Sequence, residues 1–563
     1  MPLGERHKKL LEDGTKLFAD RRSVDDFWQT VAEHFYPEVA NFTLTTNTGR
    51  DFADNMTTSY PFIARRTLGD SLSALLRPVT LDTSSPGVWF AMRSSRDVTK
   101  DIGAQRWLER STKIMRRAMY DQEARFVRAT KEGDHFFATF GQCVLSIELN
   151  RRGDTLLYRN WHLKDVVWCE DAEQKIDHVQ RRWRPTATQL AAVFRDKIHA
   201  KVKDRLKNAP YETIECRHIV IATENYEQRD AVGQKWKTPW ISIWIDEAND
   251  HVMEEVGLYN RVYIIPRWVT IPGSQYANSP AVTAGLSDAR LLQAMTLTML
   301  ESSQKVADPP MIGVQQAMRS DVQLMPGGQT WVDAEYDERS GEVLRPAYAP
   351  TMGQGLNAAF EMGSRTEQAL AKAFFLDSLS LPPATVAKEM TAFEVGQRIS
   401  EWIRRAMPIF EPMEFEYNAA ICEETFGLLM AGGAFGSRGE IPPSLSGAEI
   451  QFKFESPLHE GADRRKGQRF LEAQAALVQT AQIDPTVLHL VNARVAMRDV
   501  LSSSVPADWQ RTDEEVDALL KQQQQEAAMA KALAGAGAAA DVANKLGSAT
   551  KSFAAATTGP VAA

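Results

Sequence analysis

A long, uninterrupted helical pattern spans Ala281–Ala307, and it restricts the fold of this chain more than any other stretch. Leu292, Met295 and Met299 recur at positions i, i+3 and i+7, which places them on one face of a helix. The double proline at 309–310 ends the helix, because proline lacks the amide hydrogen that a helix interior needs. Taken alone, the pattern predicts an ordinary core helix.

Residues 141–270 change to a hydrophobic period of about two, which predicts strands. The predicted strands are Cys143–Leu149, Leu156–Trp161, Val166–Cys169, Val179–Trp183, Glu215–Thr223, Trp240–Ile245 and Tyr259–Ile265. One helix, Thr188–Arg205, lies among them, and Thr186 or Thr188 is predicted to cap it. A meander of strands with helices before and after it predicts a mixed α+β fold.

Helical patterns dominate the rest of the chain. The predicted helices are Leu10–Phe18, Val24–Tyr36, Met56–Leu76, one or two between residues 101 and 140, Leu356–Phe375, Met390–Met430, Arg464–Thr480, Val487–Leu501 and Asp513–Ala540. Phe360 and Leu370 are among the apolar positions of Leu356–Phe375. A short strand-like module, Met311–Pro350, separates the two long helices, and Ile450–Phe454 is predicted as a returning strand.

Composition excludes several classes of protein. With 563 residues the chain is long enough for two to four domains. Its formal net charge of −8 lacks the basic field of a histone-like or repressor-like DNA binder. The four cysteines lie far apart, which fits a reducing compartment, and none has the spacing of a zinc ligand set. The sequence shows no secretory signal and no membrane span, so a soluble protein made in a cytoplasm is predicted.

One short motif points to an enzyme. Gly69-Asp70-Ser71-Leu72 matches the signature of the GDSL hydrolases, in which the serine is a nucleophile activated by a histidine. Here the signature lies inside the predicted helix Met56–Leu76, and no D-x-x-H pair follows near the C-terminus. The core-helix interpretation is therefore favoured over a catalytic role for Ser71.

Three segments carry a resemblance to a known family. They are W-V-T-I-P-G-S-Q-Y-A-N-S-P-A at 268–281, followed by the helix and D-P-P; D-x-F-W-x-x-V-A-x-H-F-Y-P-E at 25–38; and M-T-A-F-E-V at 390–395. Together they resemble the portal (head-to-tail connector) proteins of short-tailed, T7-like bacteriophages. Ala277 and Phe393 depart from the family, which more often has Gly and Thr at these positions.

The resemblance implies a structural function. It implies a ring of about twelve chains at one capsid vertex, closed by a head-to-tail contact. The implied partners are further copies of the chain, the major capsid and scaffolding proteins, the large terminase subunit, tail adaptor proteins and the double-stranded DNA that passes through the channel. A membrane partner, an enzymatic activity and a cofactor are not implied. The implied location is the head–tail junction of the virion, after synthesis in the bacterial host cytoplasm.

The resemblance also implies a portal-type architecture: an α/β wing, two long stem helices, a small clip and a helical crown. The implied parts are 1–280 (wing, with N-terminal helices and the α+β sheet unit), 281–307 (first stem helix), 308–354 (clip), 355–376 (second stem helix), 377–389 (channel loop), 390–459 (kinked helix and returning wing strand), 460–540 (helical crown) and 541–563 (flexible Ala/Gly-rich tail).

Two sets of residues are candidates for contact with DNA. By the resemblance, the channel loop faces the duplex, and its candidates are Ser378, Ser380, Thr385 and Lys388. Arg398, Arg404 and Arg405 could reach phosphate, although arginines on a helix surface usually pair with acidic neighbours or face solvent. Arg181, Arg182 and Arg184 form a further basic cluster, for which a solvated or intersubunit strand face is favoured over a nucleic-acid patch.

Two other functions remain as alternatives. One is a GDSL-type hydrolase that uses Ser71. The other is an internal virion protein that interacts with membrane through its Ala-rich tail, although that tail lacks the basic and bulky apolar faces of an interfacial helix.

Overall fold

The computed structural model describes residues 2–44, 49, 51–52, 56–77, 89–96, 98, 101–227, 236–307, 311–313, 321, 331, 344–346, 355–379, 413–454, 497, 509, 511 and 515–529. The chain divides into two compact units. The larger contains Met1–Ala91, Thr112–Gly436 and Phe452–Ala462, and the smaller contains Met92–Ser111, Ser437–Gln451 and Asp463–Ala563. Helices and strands are both abundant, so the predicted mixed α+β class is confirmed.

The helices with described bounds are α1 (Glu5–Asp20), α2 (Arg22–Phe35), α3 (Tyr60–Leu76), α4 (Ile102–Met119), α5 (Phe126–Phe140), α6 (Ala187–Phe194), α7 (Ala200–Asn208), α8 (Thr223–Glu227), α9 (Leu286–Ala307), α10 (Gly355–Ala373), α11 (Leu376–Leu379) and α12 (Ala420–Ala431). The strands are β1 (Phe90–Ser94), β2 (Val144–Leu149), β3 (Leu156–Trp161), β4 (Val166–Glu170), β5 (Ile176–Trp183), β6 (Cys216–Ala222), β7 (Trp240–Asp246), β8 (His251–Leu258), β9 (Tyr263–Ile264), β10 (Val269–Thr270), β11 (Ala277–Asn278), β12 (Met311–Gly313), β13 (Leu344–Pro346) and β14 (Ile450–Phe454).

A five-stranded antiparallel sheet, in the order β4-β5-β6-β7-β8, forms the centre of the larger unit. Alternate side chains of a strand point to opposite faces, and the two faces bury different helices. Ile219, Ile241 and Ile243 pack with Leu10 of α1 on one face. On the other face, Cys216 and Met253 pack with α6 and α7. Four of the seven predicted strands lie in this sheet, as β4, β5, β6 and β7.

Two sequence predictions about this sheet are wrong. Strand β8 was not predicted; its register against β7 shifts between Trp244 and Ile245, and Glu254 and Glu255 interrupt its apolar pattern. The predicted single helix Thr188–Arg205 is two helices, because the chain turns at Arg195, whose φ is +48°. The Thr186 cap is confirmed: its side chain and that of Gln189 form a reciprocal capping box.

The predicted basic cluster is not one exposed face. Arg181 is buried, and its guanidinium lies 3.7 Å from the centre of the Trp161 ring. Its Nε donates a hydrogen bond of 2.7 Å to the Tyr263 hydroxyl. Arg182 stacks on Phe18, and the exposed Arg184 forms an ion pair with Glu215. These arginines therefore pack on aromatic rings or pair with an acid, and a solvated strand face describes Arg184 alone.

A second core in the larger unit lies between the three-stranded sheet β3-β2-β9 and helices α2, α3 and α5. A buried ion pair, Arg77 with Asp134, joins the end of α3 to α5. Arg77 Nη1 also donates a hydrogen bond of 2.7 Å to Asn418 Oδ1. A buried charge needs such partners, because an unpaired one is strongly destabilising. The pair thereby holds together elements that are far apart in sequence.

The smaller unit is described over residues 92–96, 98, 101–111, 437–451, 497, 509, 511 and 515–529. The Asp101 carboxylate accepts hydrogen bonds from Ser444 Oγ and from the Ala104 amide at the start of α4. The Arg96 guanidinium donates to the carbonyl oxygens of Ser446 and Gly447. Residues 515–529 form a helix within the predicted Asp513–Ala540. The predicted helices Arg464–Thr480 and Val487–Leu501 lie outside the described residues, apart from residue 497.

Candidate functional site

The hydrolase motif serves packing in this structure. Ser71 lies in the middle of α3, and a Cβ on Gly69 would come within 2.3 Å of His135 Nδ1 on α5. Glycine at position 69 therefore allows close contact between the two helices. That same nitrogen lies 3.2 Å from Arg65 Nη1, and burial lowers the pKa of His135 to about 4. His135 therefore packs against α3 at Gly69 and pairs with Arg65.

Among the described residues, no group of three or more His, Cys, Asp or Glu side chains could hold a metal ion. No helix in the described parts of the chain is both long and apolar enough to cross a lipid bilayer. The sheets join the long helices at one segment, which carries many of the contacts between distant parts of the larger unit. We call the segment Arg267–Gly285, between β9 and α9, the junction.

The end of α5 holds the junction in place. The helix ends at Gly141, which has a left-handed φ of +77°, and its carbonyl accepts a hydrogen bond of 2.8 Å from the Trp268 amide. Gln142 Oε1 accepts from the Ala277 amide at 2.9 Å. Ser279 Oγ donates to the Thr139 carbonyl at 2.6 Å. These bonds fix the point at which the first long helix begins.

Arg267 ties the junction to two other elements. Its guanidinium forms an ion pair with Glu170 of β4 and donates to the Gln174 carbonyl at 3.2 Å. Its amide donates to Glu416 Oε2 at 2.9 Å. Glu416 belongs to a π-helical turn, Glu414–Ala419, that precedes α12. Arg267 therefore connects the edge of the five-stranded sheet with Glu416, which lies inside the predicted helix Met390–Met430.

The first long helix begins with a second π-helical turn, Ala281–Gly285. Such turns hold one extra residue and are frequent at functional sites. The end of the second long helix packs against this turn, since a Cβ on Gly285 would meet the Phe374 ring at 3.0 Å. Phe374 also contacts Phe35, with ring centres 5.3 Å apart. The next residue, Phe375, has a φ of +57°, which is strained for a bulky side chain.

The two long helices pack against each other in opposite directions. Gly285, at the start of the first, lies beside Phe374, after the end of the second, while Met299 lies beside Gly363. The buried residues of α10 recur as Gly363, Thr366 and Leu370, and Leu292 of α9 is buried as predicted. We call α9 and α10 together the helical hairpin. Phe360, another apolar position of this helical pattern, is 57% exposed in the single chain.

The side chain of Gln293 on the first long helix binds the backbone of Thr57 and Thr58, in the segment before α3. Gln293 Oε1 accepts hydrogen bonds from the amides of Thr57 (2.8 Å) and Thr58 (3.2 Å). Its Nε2 donates to the Thr58 carbonyl at 3.0 Å. The amide side chain thus pairs with backbone in the way that a neighbouring strand would. Sequence reasoning missed this contact, because a lone Gln on an apolar helix carries no signal about its partner.

Most candidate DNA-contact residues lie outside the described part of the chain. Ser380, Thr385, Lys388, Arg398, Arg404 and Arg405 all lie there. Ser378 lies in the backbone of the short helix α11, directly after the strained Phe375, and its side chain is not among those described. Phe375 was not singled out from the sequence, because a left-handed Phe has no sequence signature.

Comparison with known proteins identifies relatives along most of the chain. Residues 7–508 match the family model described as "Bacteriophage head to tail connecting protein". A "Probable portal protein" of Bordetella phage BPP-1 is 24% identical over 467 residues, which cover 80% of this chain and 79% of the relative. The "Portal protein" of Salmonella phage epsilon15 is 21% identical over 553 residues, which cover 96% and 95%.

Among solved structures, a chain in "Virion of native gene transfer agent (GTA) particle" aligns with 79% of this chain and 95% of its own length. The identity is 9% and the TM-score is 0.34.

Proposed function

This chain belongs to the family of bacteriophage head to tail connecting proteins, and from that membership we propose that it is a phage portal protein. It forms a homo-oligomeric ring in the virion, at the junction of head and tail. The observation that carries the proposal is the extent of the match. The family model covers residues 7–508, and the epsilon15 portal protein is matched over 95% of its own length.

The finer parts of the function belong to the proposal as well. The ring contains about twelve chains, as closed rotational symmetry permits. It sits at one capsid vertex, where the capsid and scaffolding proteins assemble around it. Double-stranded DNA enters and leaves through its channel, the terminase large subunit docks on it during packaging, and tail adaptor proteins replace the terminase later. The chain is made in the host cytoplasm and acts without catalysis.

We also propose a role for each part of the chain. Residues 1–280 are the wing, 281–307 and 355–376 the stem helices, and 308–354 the clip, in which β12 pairs with β13. The channel loop, 377–389, carries Ser378, Ser380, Thr385 and Lys388 towards the duplex. Residues 390–459 are the kinked helix and the returning strand, with Arg398, Arg404 and Arg405 as further DNA contacts. Residues 460–540 form the crown and 541–563 the tail.

Native mass spectrometry with negative-stain imaging of the purified full chain tests the proposal. Rings of about a dozen chains with a central hole are the expected result. A compact dimer whose esterase activity disappears in Ser71→Ala would overturn it in favour of the hydrolase. Binding to liposomes in a flotation assay would favour the membrane alternative instead. A chain that stays monomeric even with capsid and scaffolding proteins present would also contradict the portal function.

A further inference from the structure

The helical hairpin exposes large apolar side chains on two opposite sides. Successive residues of a helix are turned by about 100°, so the positions around α9 can be read from its buried residue Leu292. Leu297 and Leu300 lie on one side of that buried face, and Leu291 lies on the other. In α10, Phe360 and Met362 lie on opposite sides of Gly363 in the same way.

The antiparallel packing places these residues on two opposite sides of the hairpin. Because Met299 lies level with Gly363, Leu300 lies near the level of Phe360, and Thr298 near the level of Met362. We call Leu297, Leu300 and Phe360 flank A, and Leu291, Thr298 and Met362 flank B. Leu300 is 54% and Phe360 57% exposed, while Leu291 is 40% and Met362 50% exposed. Both flanks thus leave apolar surface open to water, and neither set contains a charged residue.

A closed ring requires two different contact surfaces on every chain. A head-to-tail contact joins one surface of a chain to a different surface of the next, whereas a two-fold dimer uses one surface twice. Two apolar flanks on opposite sides of one hairpin provide the two different surfaces that a head-to-tail contact needs. Permanent assemblies also have interfaces that are more apolar than the rest of the surface. Two exposed charges of α10, Arg365 and Glu361, pair with each other on their own helix at 2.6 Å.

We propose that flank A of one chain packs on flank B of the next chain in the ring, with Phe360 against Met362 and Thr298. The occupant of each flank is therefore a second copy of this chain. Rotation about the ring axis carries each residue to the same height along that axis in the next chain. Phe360 lies near the level of Met362 and Thr298 along the hairpin, so the two flanks of neighbouring chains can meet. The proposal rests on the ring-forming function above and adds to it the surface through which the ring closes.

Engineered disulfides test this contact in the full-length protein. Residues two apart on a helix do not face each other, so cysteines at 360 and 362 of one chain cannot form a bond. In Phe360→Cys/Met362→Cys, mild oxidation is expected to yield a ladder of linked chains, from dimers to the complete ring, on a non-reducing denaturing gel. Each single variant is expected to stay unlinked, because a cysteine on one flank meets no cysteine on the other.

The controls separate the contact from the ring itself. Native mass is measured before oxidation, so an absence of rings in the unmodified protein counts against the proposed function. Rings that form without a ladder, or single variants that link as well as the double variant, would overturn the interface. Thr298→Cys/Leu300→Cys repeats the test if the first variant does not assemble. Lys201→Cys/Lys203→Cys on α7 has the same spacing and is expected to stay unlinked, as is the wild type with its own four cysteines.

Discussion

At the scale of single residues, the larger unit buries polar side chains whose surroundings the sequence does not reveal. His218 stacks on Trp244 with ring centres 3.8 Å apart, and its two nitrogens lie 2.6 Å from the Tyr263 hydroxyl and 2.8 Å from Ser242 Oγ. Burial holds the pKa of His218 well below its usual value, and the charge of Arg181 lowers it further. His218, Tyr263, Ser242 and Arg181 thus form one buried hydrogen-bonded network, and networks of this kind rigidify a core.

His162 allows a pH prediction. Its Nδ1 accepts from the Lys164 amide and its Nε2 lies 3.2 Å from the Val39 carbonyl, which requires a neutral ring between Phe42 and Phe136. Burial lowers its pKa to about 4 from the usual 6.5. The stability that the neutral ring contributes is therefore complete above pH ~6.5 and declines as the pH falls towards 4.

In His162→Asn, the side-chain oxygen replaces Nδ1 but does not titrate. We expect the free energy of unfolding to fall between pH 7 and pH 5 by about 2 kcal/mol less in the variant than in the wild type. Thermal or urea unfolding at both pH values measures the difference. His199→Asn is the matched control, because His199 caps α7 with the same kind of bond near the surface. Equal pH slopes in the wild type and His162→Asn would show that His162 titrates normally.

At the scale of elements, two glycines in helical surroundings are expected to respond in opposite ways to alanine. A Cβ at Gly363 would meet only Met299 Cε, at an ordinary 3.8 Å, so Gly363→Ala is expected to stabilise by about 0.5–1 kcal/mol. A Cβ at Gly141 would lie 2.5 Å from the Asn278 backbone, and the left-handed φ adds strain of roughly 1–2 kcal/mol.

Melting temperatures of both variants test the pair. Gly363→Ala is expected to melt above the wild type and Gly141→Ala well below it. If Gly141→Ala melted like the wild type, the close contact between the end of α5 and the junction would be wrong. If Gly363→Ala melted lower, the spacing between the two long helices would be smaller than the structure gives.

The sequence predicted elements well where a pattern is local. The long first helix, strands β2 and β3 and the returning strand β14 all lie within a residue or two of their predicted bounds, because apolar periodicity follows burial directly. It failed where backbone geometry or tertiary contact decides. The turn at Arg195 divides a continuous helical pattern. Strand β8 forms through its hydrogen bonds to the free edge of β7, although its own sequence lacks a regular apolar alternation. The contacts of Gln293 and the two π-helical turns, Ala281–Gly285 and Glu414–Ala419, have no local sequence signature.

At the scale of the whole molecule, the mismatch at Phe360 is informative. It is one of the apolar positions of the predicted helix, yet the single chain exposes it. An apolar pattern indicates that a side chain is buried, but it does not indicate whether the same chain or a neighbouring chain buries it. A ring that buries both flanks of the helical hairpin reconciles the two observations. Composition alone could not have revealed this, since an acidic chain of ordinary apolar content describes many monomers equally well.

The charge of the assembled ring leads to a last prediction, about DNA. Every chain carries a net charge of −8, so a ring of such chains is strongly acidic overall. Tight phosphate contacts would bind duplex DNA with a steep salt dependence and hinder its movement. Purified rings are therefore expected to leave linear duplex DNA unshifted in a gel at physiological salt. Strong, salt-sensitive retention by wild-type rings would contradict a passive channel wall.

A charge-gain variant makes this test specific to the proposed channel loop. Ser380→Lys/Thr385→Lys adds two positive charges per chain at residues 377–389, and the ring multiplies them. If that loop lines the channel, the variant rings are expected to retain duplex DNA, and added salt is expected to release it. Ala200→Lys/Asn208→Lys on α7, outside the predicted loop, adds the same two positive charges per chain at exposed positions and controls for the gain of charge alone. Variant rings that retain no more DNA than the wild type would remove residues 377–389 from the channel wall and leave the ring itself in place.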